Sequence, residues 1–255
     1  MVKIENLKAG YRNKRVINDL NFVFKDKIIY GLLGPNGSGK TTFLKALLGF
    51  LPEIEGNIII KGKDLKKWKR KELAGKISLI PQNFITNFDH KVKNFILMGR
   101  YPYLGYLGNY SSRDMEKVNK VMREFSLYEM RDKYISELSG GEKQRCAIAR
   151  TIVQEADIIL MDEAFSHLDI NHQIEIMQLL KRINQNKDKQ IILVSHNINL
   201  AAEYCDEMIF LKSGKLVMSG EPEGVLTGKN LREIYDARIE IIKNPHTGKP
   251  NFIYV

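Results

Sequence analysis

Gly34-Pro35-Asn36-Gly37-Ser38-Gly39-Lys40-Thr41 fits Gly-x-x-x-x-Gly-Lys-Ser/Thr, the spacing that cradles a phosphate chain. Glycines let successive backbone N–H groups converge on phosphate oxygens, and the following helix points its positive end at them. Lys40 supplies a point charge for β- and γ-phosphates, the Thr41 hydroxyl can ligate Mg²⁺, and Thr42 extends the set. A second cluster, Ile158-Ile159-Leu160-Met161-Asp162-Glu163, closes an apolar run with two acids. Asp162 can hold Mg²⁺ through water, and Glu163 is placed to polarise an attacking water. Alone, such a pair is better explained as helix N-capping; beside a phosphate loop the balance reverses. In Leu138-Ser139-Gly140-Gly141-Glu142-Lys143-Gln144-Arg145, two glycines precede a helical run of Cys146, Ile148, Ala149 and Ile152. That is either a second anion-receptive helix start or a plain serine-capped one.

These residues need elements to hold them. Val2/Ile4 and Leu20/Phe22/Phe24 alternate as antiparallel strands with one wet face do. The run from Ile28 to Leu33 is continuously apolar, as a strand buried on both faces should be. After the glycine loop, Phe43, Leu44, Leu47 and Leu48 keep helical spacing up to Gly49. Two more buried strands are expected, from Ile158 to Met161 and from Ile191 to Ser195, each leading into polar residues and helix-like periodicity. Buried strands alternating with helices predict a parallel sheet covered by helices. Between Phe84 and Val153 helical spacing dominates around a Tyr/Gly/Pro-rich stretch at 99–110, which predicts a helical insertion.

At 255 residues, 44% hydrophobic and 27% charged, the composition is that of a globular domain of ordinary-to-large size. No apolar run approaches the ~20 residues that cross a bilayer, and the alternating start Met1-Val2-Lys3-Ile4 predicts no signal peptide. Two cysteines, Cys146 and Cys205, are too few for a disulfide framework and lack metal-ligand spacing, so a reducing cytoplasm is expected. The net charge of +10 suits nucleic acid, an anionic membrane surface or a polyphosphate. Between Lys61 and Lys76, eight Lys/Arg stand against two acids, with Trp68 the only aromatic. A strand-tracking nucleic-acid groove would want more stacking platforms, so a solvated basic face is the simpler account.

Leu138-Ser139-Gly140-Gly141 closely resembles the signature of the ATP-binding subunits of ABC transporters, and the other family landmarks follow in order over nearly the whole chain. The resemblance implies an α/β fold: a P-loop NTPase core with a mostly parallel sheet, an N-terminal antiparallel β subdomain and an inserted helical subdomain. One ABC ATPase domain over 1–255 is expected, with core segments 1–84 and 153–230, a helical subdomain over 85–152 and a tail over 231–255. Tyr11 resembles the aromatic that stacks on adenine, with Val16 five residues on. Gln82, in Leu79-Ile80-Pro81-Gln82, resembles the hinge glutamine that contacts Mg²⁺ or water. Ser166-His167-Leu168-Asp169 resembles the loop that crosses to a partner subunit, and His196 the switch histidine that reaches the γ-phosphate. A lone aromatic or histidine beside a strand is usually structural; these occupy the family's expected slots. Glu142 stands where the family commonly has Gln, and Ala164-Phe165 where it commonly has Pro-Thr.

Met98-Gly99-Arg100-Tyr101-Pro102-Tyr103-Leu104-Gly105 resembles the helical-subdomain segment of importer ATPases for iron–siderophore, haem and cobalamin. The run from Ser166 to Gln173 and the tail around Pro245-His246-Thr247-Gly248-Lys249-Pro250 point the same way. The resemblance implies ATP and Mg²⁺ as ligands, a head-to-tail homodimer, and a permease pair docked near Gln82 and residues 84–110, where Phe84, Phe88, Tyr101, Tyr103, Tyr106 and Tyr110 surround Gly and Pro. A substrate-binding protein is implied only indirectly, and the place is the cytoplasmic face of the membrane. The 59 residues after His196 are expected to hold no added regulatory domain. Two other classes fit less well. An ABC-type ATPase acting on nucleic acid would place a long coiled coil between Lys40 and Ser139, but those 99 residues carry no sustained heptads. A non-catalytic scaffold has no use for Glu163 and His196.

Overall fold

The computed structural model describes all residues except 13, 83–88, 106–107, 165–167, 237–238 and 255, and omits the side chains of 187 and 254. The chain forms two compact units, one of Met1–Trp68 with Met177–Val255 and one of Lys69–Ile176.

In the first unit, β1 (Val2–Tyr11), β2 (Lys14–Phe24), β4 (Glu53–Ile60) and β5 (Lys63–Asp64) form an antiparallel sheet in the order β2-β1-β4-β5. The register pairs Val2 with Phe24 and Ile4 with Phe22, so the alternating residues share a face. A bulge then moves the inward position from Ile4 to Leu7. It turns on Asn6 at φ 50, a conformation asparagine tolerates, and the Asn6 N–H donates to Asn21 Oδ1 at 2.8 Å. The parallel layer centres on β3 (Ile29–Leu33), fully buried between β8 (Gln190–Val194) and β9 (Glu207–Lys212). β10 (Lys215–Gly220) closes the edge antiparallel to β9. The Phe24 ring meets Tyr30 edge-on at 4.9 Å and Phe43 at 6.0 Å, tying the antiparallel sheet to β3 and to α1 (Lys40–Leu47). α7 (Ile198–Tyr204), α8 (Pro222–Val225) and α9 (Gly228–Tyr235) follow β8 and β10. The expected tail is a hairpin, β11 (Ile239–Lys243) with β12 (Pro250–Tyr254). Asn199 on α7 holds it by bonding both the N–H and the carbonyl of Phe252.

In the second unit, β6 (Ile77–Ile80) pairs parallel with β7 (Ile158–Asp162), Ile77 opposite Ile158 and Ile80 opposite Met161. α2 (Arg70–Ala74) precedes them, and α3 (Val92–Leu97), α4 (Ser112–Glu124) and α5 (Gly140–Val153) build the helical part; α6 (Ile170–Lys187) follows β7. Its core buries Phe95, Ile96, Val118, Met122, Ile148 and Ile152. Arg100 is buried among polar partners, donating to Asp114 Oδ1 at 2.7 Å, Glu155 Oε2 at 2.8 Å and the Val153 carbonyl at 2.7 Å. Full pairing makes such a buried charge tolerable.

Candidate nucleotide site

The loop from Gly34 to Gly39 leaves the carboxyl end of β3, where open parallel sheets bind ligands. Gly34 has φ +140, and a Cβ there would lie 2.0 Å from the Leu211 carbonyl oxygen, so no other residue fits. Asn36 and Gly37 form the exposed tip, whereas Ser38, Gly39 and Lys40 are buried. Lys40 Nζ donates to the carbonyls of Gly34 and Pro35 at 2.9 and 3.0 Å, which curls the loop around its own cation. Gly39 caps α1 at φ 105 and has no side chain to occupy the first-turn N–H groups. A curled loop, a central ammonium and a bare helix start fit a polyphosphate. Thr41 and Thr42 stand in the first turn.

Val16 reaches this loop: its Cγ1 lies 3.4 Å from where a Gly39 Cβ would be. Tyr11, 41% exposed at the end of β1, has Lys45 Nζ 5.6 Å from its ring centroid. His196 is exposed two residues beyond β8, and Val194 pairs with Leu32, so His196 and the loop leave the same ends of neighbouring strands.

The second unit gathers its own set. Gln82 follows β6, and Asp162 ends β7 with Glu163 next to it. Gln82 Nε2 donates to Glu163 Oε2 at 2.8 Å, joining the ends of the two strands. Glu163 sits at φ 49, an uncommon conformation for a non-glycine residue. Ser139 caps α5: its Oγ accepts from the Glu142 N–H at 3.3 Å, and Glu142 Oε2 accepts from the Ser139 N–H at 2.8 Å. The structure forms the serine-capped helix start, its first turn lined by the two glycines. Asp169 Oδ1 accepts from the His172 N–H at 2.9 Å and its Oδ2 lies 2.8 Å from His172 Nδ1, which holds its carboxyl below the usual range.

Phe84, Phe88, Tyr106, Phe165, Ser166 and His167 lie outside the described residues. Tyr101 is 66% exposed, Tyr110 is half-buried, and Tyr103 is exposed but anchored, its hydroxyl donating to the Gln154 carbonyl at 2.8 Å. Three contacts escaped sequence reasoning. The Gly214 N–H donates to the Ser38 carbonyl at 3.0 Å, and Leu211 walls in Gly34. Burial pushes the Tyr235 hydroxyl up to about 12, against a backbone hydrogen bond from Gly34. No local pattern marks these distant residues as loop supports.

The sequence profile of the family described as ABC transporter matches residues 17–166. The chain belongs to this family. Among similar curated proteins, the petrobactin import ATP-binding protein YclP of Bacillus subtilis is 36% identical over 94% of this chain and 95% of its own. The ferric enterobactin transport ATP-binding protein FepC of Escherichia coli is 34% identical over 96% and 91%. A solved ABC transporter structure, described as of the metal-chelate type, matches with TM-score 0.86 and 26% identity over 100% of this chain and 97% of that one. The cbiO1 structure from Clostridium perfringens matches with TM-score 0.79 and 26% identity over 91% and 92%. This ABC subunit is accordingly a nucleotide-binding ATPase with the mixed α/β fold expected from its sequence.

Proposed function

We propose that this subunit hydrolyses MgATP to drive import of an iron–siderophore or a related metal chelate through a membrane permease. The phosphate loop carries the nucleotide part: its buried Lys40 is held on two loop carbonyls beneath an uncapped helix start. The names of the similar curated proteins, petrobactin import and ferric enterobactin transport, support the cargo.

Tyr11 and Val16 receive the adenine, Gly34 to Thr42 the phosphates, and His196 the γ-phosphate. Among the described residues no three His, Cys, Asp or Glu form a metal cluster. Thr41 in the first unit, and Gln82 and Asp162 in the second, are each of a type that suits Mg²⁺, an ion usually held by few carboxylates together with substrate phosphates. Glu163 takes a proton from the attacking water, with Gln82 orienting its carboxylate. The sandwich partner is a second copy of this chain, placing Ser139, Gly140, Gly141 and Glu142 on its neighbour's γ-phosphate and Asp169 beside the same loop. Closure on ATP and opening after phosphate loss supply the stroke.

Among the described residues no helix is long and apolar enough to cross a membrane. We place the subunit at the cytoplasmic face, docked to its permease through the exposed Tyr101–Tyr103 turn, with the basic 61–76 segment adding attraction to anionic headgroups. A substrate-binding protein acts only through the permease.

The decisive experiment is light scattering of Glu163→Gln protein with and without ATP. ATP should convert monomer to dimer, hydrolysis should fall by about 10²–10⁴, and adding Ser139→Arg should abolish the dimer while the monomer still binds ATP. A monomer at every ATP concentration together with undiminished turnover would overturn this assignment.

A further inference from the structure

The two signature glycines meet different surroundings. Gly140 is exposed, and a Cβ there would touch nothing within 4 Å. Gly141 is buried, and a Cβ there would lie 2.8 Å from Cδ2 and 2.9 Å from Nε2 of His172. Side chains do not approach that closely, so the imidazole edge occupies the space that any larger residue at 141 would need. That edge is fixed from behind. Nδ1 lies 2.8 Å from Asp169 Oδ2, and Asp169 Oδ1 accepts the His172 backbone N–H at 2.9 Å. Gln173 Nε2 donates to the Leu168 carbonyl at 2.9 Å, pinning the same turn. With Nδ1–H donating to the carboxylate, the ring is locked in one tautomer and one orientation.

We infer that His172 is a positioning residue, a strut that sets the signature turn against Asp169 so that the Gly140–Gly141 backbone is presented at a fixed distance from the crossing loop. The inference rests on the head-to-tail site proposed above. In that site, Asp169 and the signature turn act on the same neighbouring ATP, and both must arrive in register. A displacement of about 1 Å between groups that act together is enough to cost a large factor in rate. Gly140 is free of constraint from its own chain, which leaves its surface to the neighbour; Gly141 is glycine because the strut passes there.

The test uses the full chain carrying Glu163→Gln for dimerisation and otherwise wild-type chain for turnover. His172→Ala should leave ATP affinity of the monomer unchanged but raise the protein concentration at half-dimerisation roughly tenfold, with kcat falling and KM nearly constant. His172→Phe keeps a ring without the donor and should fall between the two. Gly141→Ala should weaken dimerisation, and adding His172→Ala should restore part of it, because the space is vacated. If Gly141→Ala does not fold, recovery of a folded, cooperatively melting protein by the double variant is the same result. Wild-type dimerisation by His172→Ala, or a double variant no better than Gly141→Ala, would overturn the strut. Ser139→Arg separates the two claims. If that variant dimerises normally, the head-to-tail site has failed, and the melting temperatures of the Gly141/His172 cycle still decide whether the ring and the glycine are coupled.

Discussion

Two helices of this ABC subunit begin with glycines and a polar residue, yet they cap their first turns in opposite ways. α1 starts from Gly39 at φ 105, with no capping side chain and with Lys40 folded into its own loop. α5 starts from Ser139 in an extended conformation, φ −63 and ψ 164, and closes a reciprocal box with Glu142. The first has no side chain capping its first turn. The second satisfies part of its own demand and must release the Ser139 hydroxyl before that group can serve a neighbour's phosphate. One is a helix start without a side-chain cap, the other a helix start with a latch. Such an arrangement suits a cycle in which nucleotide binds the monomer first and the partner second.

The asymmetry breaks most visibly at the lysines. Lys40→Ala should weaken ATP binding by the monomer roughly a hundredfold or more, since a charge-assisted contact is worth up to about 3 kcal/mol. Lys143→Ala, in the first turn of α5, should leave monomer affinity within twofold. Titration with a fluorescent ATP analogue measures both, and equal losses would dissolve the distinction between the two helix starts.

Alanine at the glycines sharpens the contrast next. Gly34→Ala must accept φ +140 and a Cβ 2.0 Å from the Leu211 carbonyl, so a loss of about 3 kcal/mol is expected. Gly140→Ala, in helical conformation with open space, should stabilise the folded monomer by up to about 1 kcal/mol. Urea unfolding of the two variants should therefore give shifts of opposite sign.

Much of this was legible in the sequence, because it rests on local pattern. The buried strand before Gly34, the helix after it and the acids closing Ile158–Met161 all depend on period and spacing within a short window. The antiparallel start was legible as far as Ile4, but the bulge at Asn6 was not, since alternation alone carries no sign of an inserted residue. Ser139 was legible as a cap for α5, but the reciprocal bond from Glu142 that closes the box was not. Leu211, Gly214 and Tyr235 touch the phosphate loop from more than 170 residues away, and only the folded chain brings them there. His172 lies within a run that resembles the importer group, but its contact with Gly141 depends on how α6 meets α5.

The smallest expected effect isolates the latch itself. The Glu142 carboxyl is held below its ordinary value of 4.5, chiefly by the Ser139 backbone N–H and then by its side chain, while burial acts in the opposite direction. A depressed folded value means the box contributes fully above the ordinary carboxylate range and is lost as pH falls through the lower folded value. Glu142→Gln, the family's more usual residue, can still accept from Ser139 but has no proton to gain. Its melting temperature should therefore lose less than that of the parent as pH is lowered from 5 to 3. Glu142 is only half-buried, so solvent screens the interaction and the difference should be about 0.5 kcal/mol, seen as a shift of one or two degrees. Ser139→Ala keeps the backbone N–H that is the chief cause, so it should flatten the same pH dependence only in part while costing about 1 kcal/mol at neutral pH. If Glu142→Gln and the parent trace parallel curves over that range, the box is too weak to act as a latch, and the contrast between the two helix starts is lost.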